Sequence, residues 1–256
     1  MAQANQARPQ PMIAGNWKMN GRRRQAAALG RDLARRATGS TARHCAIVIC
    51  PPAPLLLTVA DAIAGAPIAL GAQDCHGASD GAHTGDVSAA MLADVGCRYV
   101  IIGHSERRTE HAETDAVVKT KAAAAQSANL IAIICVGETE GERIGGATLE
   151  VVARQLRESL PAGATAANTV IAYEPMWAIG TGRTPTKGDV AEVHAHLRDR
   201  LAALMADAGA VRLLYGGSVK AANAAELLAI PGVDGALVGG ASLNADEFWR
   251  IIESCP

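Results

Sequence analysis

Aromatic side chains are scarce in this chain: 3 Trp, 3 Tyr and 1 Phe among 256 residues. Apolar residues still make up 49%, so a core has to be assembled from Ala, Val, Ile and Leu. Branched aliphatics in short buried strands suit the interior layers of a barrel of parallel strands. A dominant charge sign is lacking too, with 24 Lys and Arg against 25 Asp and Glu. A near-neutral chain offers no field for nucleic acid or an anionic membrane surface. No apolar run is long enough to span a bilayer. Residues 1–10 lack the apolar stretch of a secretory signal and read as a flexible tail before one domain at 11–256. The six cysteines, Cys45, Cys50, Cys75, Cys97, Cys135 and Cys255, include no C-x-x-C pair, which removes the commonest zinc and dithiol signatures. Several lie in or beside apolar runs, where Cys packs as a small hydrophobe. They read as thiols of a reducing compartment, and the chain as soluble and cytoplasmic.

What is present is a repeating order. Apolar runs at 12–15, 45–50, 67–73, 99–102, 130–136, 170–173, 212–214 and 233–238 read as strands. Helical stretches follow them at about 22–37, 54–64, 88–95, 105–127, 141–160, 186–208, 220–229 and 245–254, many closing at Gly or Pro. The strands are apolar without alternation, as strands buried on both faces should be. Eight strand–helix units with no compositional break argue for an α/β protein with a single closed (β/α)8 barrel, in preference to an open doubly wound sheet.

Reactive residue types gather where such a barrel places its site, at the carboxyl ends of the strands. Lys18 follows the first strand, His104 the fourth and Glu174 the sixth. Pro175 stops the sixth strand directly after Glu174. Taken singly, these fit a loop lysine, a histidine at a helix start and a surface carboxylate before a turn. Together they are the parts needed to shift a proton beside a carbonyl: a carboxylate base, an imidazole that polarises oxygen and an ammonium that neutralises developing charge. Gly216-Gly217-Ser218 and Gly239-Gly240 follow the seventh and eighth strands, the loops with which barrels often hold phosphate. His194 and His196 lie two apart in a helical stretch and face different ways, so they are not read as metal ligands. Neither a metal nor any cofactor is expected. The long glycine-bearing segment 74–86 has no role within one barrel that its residues alone reveal.

Several stretches match one family in its own order: Asn16-Trp17-Lys18-Met19-Asn20, Gly103-His104-Ser105-Glu106-Arg107-Arg108, Glu174 through Gly182, Tyr215-Gly216-Gly217-Ser218 and Val238-Gly239-Gly240. Spanning residues 13 to about 252, they resemble the triosephosphate isomerase family. That resemblance implies interconversion of dihydroxyacetone phosphate and glyceraldehyde 3-phosphate through an enediol-type intermediate. The pairing of a Glu base with a neutral His electrophile is the established description of that family, so these roles are what the resemblance implies. It makes Glu174 the base, His104 the electrophile and Lys18 the stabilising cation, with Glu106 holding the lysine and Asn16 orienting the site. Gly180, Ser218, Gly239 and Gly240 become backbone donors to phosphate. Pro175, Met176, Trp177, Ala178, Ile179, Gly180, Thr181 and Gly182 become a lid. The 74–86 loop becomes the contact of a homodimer, with Thr84 reaching the partner's site. Residues 75–80 lack the aromatic often found there, and 141–146 is richer in glycine than usual. A Schiff-base aldolase is the nearest rival, but no lysine lies within a strand. A non-enzymatic protein on an inherited barrel would have no need of all three reactive groups.

Overall fold

Alternate residues of each strand divide the apolar load between two cores. In β1 (Met12–Asn16), Met12 and Ala14 fill the barrel interior while Ile13 packs outward beneath the helices. The period of two repeats around the ring. Val48, Ile101, Ile133, Val170, Leu214 and Leu237 belong to the interior cluster, and Ile49, Ile102, Ile134, Ile171, Leu213 and Val238 to the outer one. Most of the few aromatics serve the outer core, where Trp17, Tyr173, Tyr215, Phe248 and Trp249 are buried, while Tyr99 belongs to the interior.

The computed structural model describes residues 9–39, 45–178 and 185–256. Strands β1, β2 (Ala46–Cys50), β3 (Ile68–Ala72), β4 (Tyr99–Ile102), β5 (Ile131–Val136), β6 (Thr169–Tyr173), β7 (Arg212–Tyr215) and β8 (Gly235–Val238) follow one another in sequence order as a closed barrel. Neighbours run parallel, and β1 pairs with both β2 and β8. Helices α1 (Arg23–Gly39), α2 (Leu56–Ile63) and α3 (Ala89–Asp94) follow the first three strands. Two short-to-long pairs come next, α4 (Ser105–Glu110) with α5 (Asp115–Ser127), then α6 (Glu140–Ile144) with α7 (Thr148–Ser159). Single helices α8 (Lys187–Leu204), α9 (Ala221–Leu228) and α10 (Ala245–Glu253) complete the ring. No helix among the described residues is long and apolar enough to cross a membrane.

One expectation needs correcting. The helix expected over 141–160 is two helices, because Gly145 closes α6 and Gly146 takes φ +73°, a left-handed conformation open to glycine at little cost. Of the expected N-terminal tail, residues 1–8 lie outside the described residues, while the Gln10 carbonyl accepts a hydrogen bond from Arg212 Nε at 2.8 Å.

Candidate active site

The alternation that builds the core also aims the site. Asn16 continues the inward series of Met12 and Ala14, and Glu174 continues that of Val170 and Ala172. Glu174 N donates to Val136 O at 2.8 Å, extending the parallel ladder one residue past β6. Its carboxylate is thereby held at the carboxyl end of the barrel, 2% exposed. Room for it exists because position 216 is glycine: a Cβ there would lie 2.7 Å from Glu174 Cγ. His104 is the N-cap residue of α4 and is also buried. Its Nε2 lies 3.0 Å from Glu174 Oε1, and Ser105 N–H donates to Glu174 Oε2 at 2.9 Å.

The tautomer of His104 follows from its other nitrogen. Glu106 N–H donates to Nδ1 at 3.2 Å, so Nδ1 carries a lone pair and the proton sits on Nε2, facing Glu174. Burial pushes the His104 imidazolium down, but the adjacent Glu174 carboxylate outweighs it and raises the group above its ordinary value. Burial likewise pushes the Glu174 carboxyl up, and His104, the Ser105 N–H and Lys18 overcome it, holding the group below the usual range. Each group's charge therefore depends on the other.

Lys18 reaches the site by an unexpected backbone. Lys18 has φ +51°. That left-handed conformation costs a residue with a Cβ roughly 1–2 kcal/mol, and hydrogen bonds hold it in place. Lys18 N–H donates to Asn16 Oδ1 at 2.9 Å, and Gln73 Nε2 donates to Lys18 O at 2.9 Å and to Cys50 O at 2.8 Å. The Lys18 ammonium then meets Glu106 Oε1 at 2.5 Å. These groups open onto one cleft of about 540 Å³, whose walls hold Asn16, Lys18, His104, Glu106 and Glu174 beside Gly216, Ser218, Gly239 and Gly240. Lys220 and Glu247 line it as well.

Some contributors were not foreseen. Gln73 is the residue after β3's last, and Glu138 lies just past the end of β5. The strand-end rule that singles out Lys18, His104 and Glu174 would have pointed to both. Glu138 is fully buried; its Oε1 accepts from Trp177 Nε1 at 2.8 Å and Tyr173 OH at 3.1 Å. Burial pushes its carboxyl up against these bonds. Arg108 ties strand ends together, donating to Gly103 O at 2.9 Å and Cys135 O at 3.0 Å while pairing with Asp115 at 2.6 Å. Nothing in residue type alone separates this arginine from a surface one.

Of the expected lid, Pro175 to Ala178 is described, with a 3-10 turn at Met176–Ala178 pinned by Trp177 to Glu138. Ile179, Gly180, Thr181 and Gly182 lie outside the described residues. The 74–86 loop is rooted by charge: Lys121 Nζ bonds Asp74 at 2.7 Å and Glu113 at 2.6 Å, and Arg107 reaches Asp74 at 2.9 Å. Thr84 sits at its exposed end and does not line the cleft within one chain. His76, His83 and Asp86 cluster in the same loop as metal-ligand residue types. His76 Nδ1 accepts from Ala78 N–H at 3.0 Å, so its proton sits on Nε2, the atom facing Asp86 at 3.8 Å. His194, rejected as a ligand, is fully buried with Nδ1 3.0 Å from Gly232 O.

The chain matches the model of the family described as triosephosphate isomerase over residues 11–255. A protein of Afipia carboxidovorans named triosephosphate isomerase is 56% identical over 96% of this chain and 98% of its own length. One from Rhizobium meliloti with the same name is 54% identical over 94% of each. A crystal structure of triosephosphate isomerase from Bartonella henselae superposes with a TM-score of 0.88, at 49% identity, over 96% of this chain and 98% of that one.

Proposed function

The chain belongs to the triosephosphate isomerase family, and from that premise we propose how its residues divide the work. The reaction interconverts dihydroxyacetone phosphate and glyceraldehyde 3-phosphate by moving a proton between adjacent carbons. The observation that carries the assignment is the buried Glu174–His104 contact of 3.0 Å at the cleft floor. Glu174 takes the carbon-bound proton, and to reach substrate it leaves His104. That departure removes the carboxylate that raises the His104 pKa. Burial and the Glu106 N–H at Nδ1 then keep the imidazole neutral, and Nε2–H donates to the substrate oxygens. Lys18 neutralises the enediolate charge, with Glu106 fixing its ammonium and Asn16 its backbone. Ser218, Gly239, Gly240 and Gly180 hold phosphate through backbone N–H groups. The lid from Pro175 to Gly182 excludes water while the intermediate exists.

The unit of function is a homodimer working in the cytoplasm, with residues 11–256 of each chain as one catalytic domain. Met19, next to Lys18, is 95% exposed in the single chain, an apolar side chain that a partner would cover. The charge-rooted 74–86 loop presents exposed residues for that contact, and Thr84 reaches the partner's Lys18 region. Deleting residues 77–85 yields monomers with poor turnover; an active dimer from that variant would remove the loop from the interface. The reaction is tested with glyceraldehyde 3-phosphate and glycerol-3-phosphate dehydrogenase, following NADH, beside Glu174→Gln. Rapid oxidation that the variant abolishes supports both reaction and base. Equal rates from the two proteins would overturn the base assignment, and folded wild-type protein without turnover would overturn the reaction.

A further inference from the structure

At the opposite end of the barrel from the cleft, Cys45 precedes β2 and Cys255 follows α10. Their sulfurs lie 3.0 Å apart although 210 positions separate them in the chain. Both residues are buried, 7% exposed each, and both are thiols. The contact is about 1 Å longer than a disulfide bond. Cys255 lies beyond the last residue of α10, Glu253, so closing that gap breaks no turn of the helix. Cys45 also forms part of the wall of a cleft of about 610 Å³, beside Trp249 and Pro67, which gives a small oxidant a route to the pair.

We propose that Cys45 and Cys255 are an oxidation site, closed to a disulfide by hydrogen peroxide. In the first step one sulfur, as thiolate, attacks a peroxide oxygen. The O–O bond breaks, leaving a sulfenic acid and one water. The second sulfur then displaces the sulfenic hydroxyl, the S–O bond breaks, the S–S bond forms and a second water leaves. Two electrons pass from the sulfurs to the peroxide, and both thiol protons end in water. The short approach makes the second step an intramolecular displacement, ahead of a second peroxide that would carry the sulfur to sulfinic acid. The Cys255 thiol against it, and then burial, push the Cys45 thiol well up, so closure accelerates as pH rises. The disulfide ties the start of β2 to the segment after α10 and constrains the unfolded chain over a very long loop, the case in which a crosslink stabilises most. It sits at the amino end of the strands, away from Glu174, and turnover stays unchanged.

The test treats the reduced full-length protein with hydrogen peroxide at about pH 8.5; intact mass, turnover and Tm are read on one native portion, and the remaining thiols of a second portion are blocked under denaturing conditions for peptide mapping. Wild type is expected to lose roughly 2 Da, to yield a Cys45–Cys255 linked peptide, and to gain roughly 5 °C or more in Tm, all reversed by dithiothreitol. Cys45→Ser and Cys255→Ser are each expected to show none of this, with turnover intact. Unchanged wild type, gains of roughly 16 or 32 Da at either cysteine, or a crosslink between other cysteines would overturn the oxidation site. A linked protein with unaltered Tm would overturn the staple.

Discussion

A methyl group at position 216 has no free space. A Cβ there would lie 2.7 Å from Glu174 Cγ and 3.2 Å from Tyr173 O. The backbone side of that contact is fixed, because Gly216 N–H donates to Tyr173 O at 2.7 Å where β6 and β7 pair. Carbon atoms settle at about 3.7 Å, so in Gly216→Ala the Glu174 side chain has to retreat by about 1 Å. A reacting group displaced that far loses about 100-fold in rate, equivalent to about 2.7 kcal/mol of barrier. Overpacking costs the folded state about 1–3 kcal/mol, within the stability of an ordinary domain. The assay is the coupled oxidation of NADH across a range of substrate concentrations, with thermal unfolding and competitive inhibition by inorganic phosphate measured on the same preparation. The expected outcome is kcat down about 100-fold with KM and phosphate affinity within about threefold, because an interaction specific to the transition state is lost. A folded variant with kcat within about threefold of wild type would refute the reasoning, as would a loss confined to KM.

Two other substitutions probe different layers. Burial holds the His194 imidazolium down to about 4, against about 6.5 in an unfolded chain. Between those pH values the unfolded chain binds a proton that the folded chain refuses, so stability falls as pH drops, by about 3 kcal/mol over the window. In His194→Gln that slope is expected to flatten, read from urea midpoints at several pH values; parallel slopes in the two proteins would contradict the assignment. Glu106→Gln weakens the ion pair that fixes the Lys18 ammonium. It is expected to lower kcat/KM by about 10–100-fold, while this partly exposed pair changes stability by less than about 1 kcal/mol. A variant that loses stability but keeps its turnover would show Glu106 to be structural only.

Much of the barrel is readable from local order, because strands buried on both faces are apolar throughout and glycine or proline marks many of their ends. Most boundaries move by a residue or two, α8 ends at Leu204 where the helix was expected to reach 208, and α6 and α7 separate where Gly146 turns left-handed. Lys18, His104 and Glu174 are visible because reactive residues directly after apolar strands are conspicuous. Gln73 and Glu138 obey the same rule but carry residue types with many ordinary uses, so their roles emerge only from their partners. The left-handed Lys18 runs against the local preference of lysine. It exists because Gln73 and Asn16, from β3's end and β1, hold both sides of its peptide.

The order of residues, by itself, determined eight strand–helix units, two-sided burial of the strands and the chemical types waiting at their ends, since these depend on spacing and polarity along the chain. Only the tertiary structure decided which of those ends meet. Barrel closure pairs β1 with β8, the interior facing of alternate residues turns Glu174 inward, and the start of α4 brings His104 within 3.0 Å of it although 70 positions separate them in sequence. It equally placed Cys45 against Cys255. The proton on His104 is likewise a tertiary property: it depends on the Glu106 N–H and the Glu174 carboxylate arriving at opposite nitrogens of one buried ring.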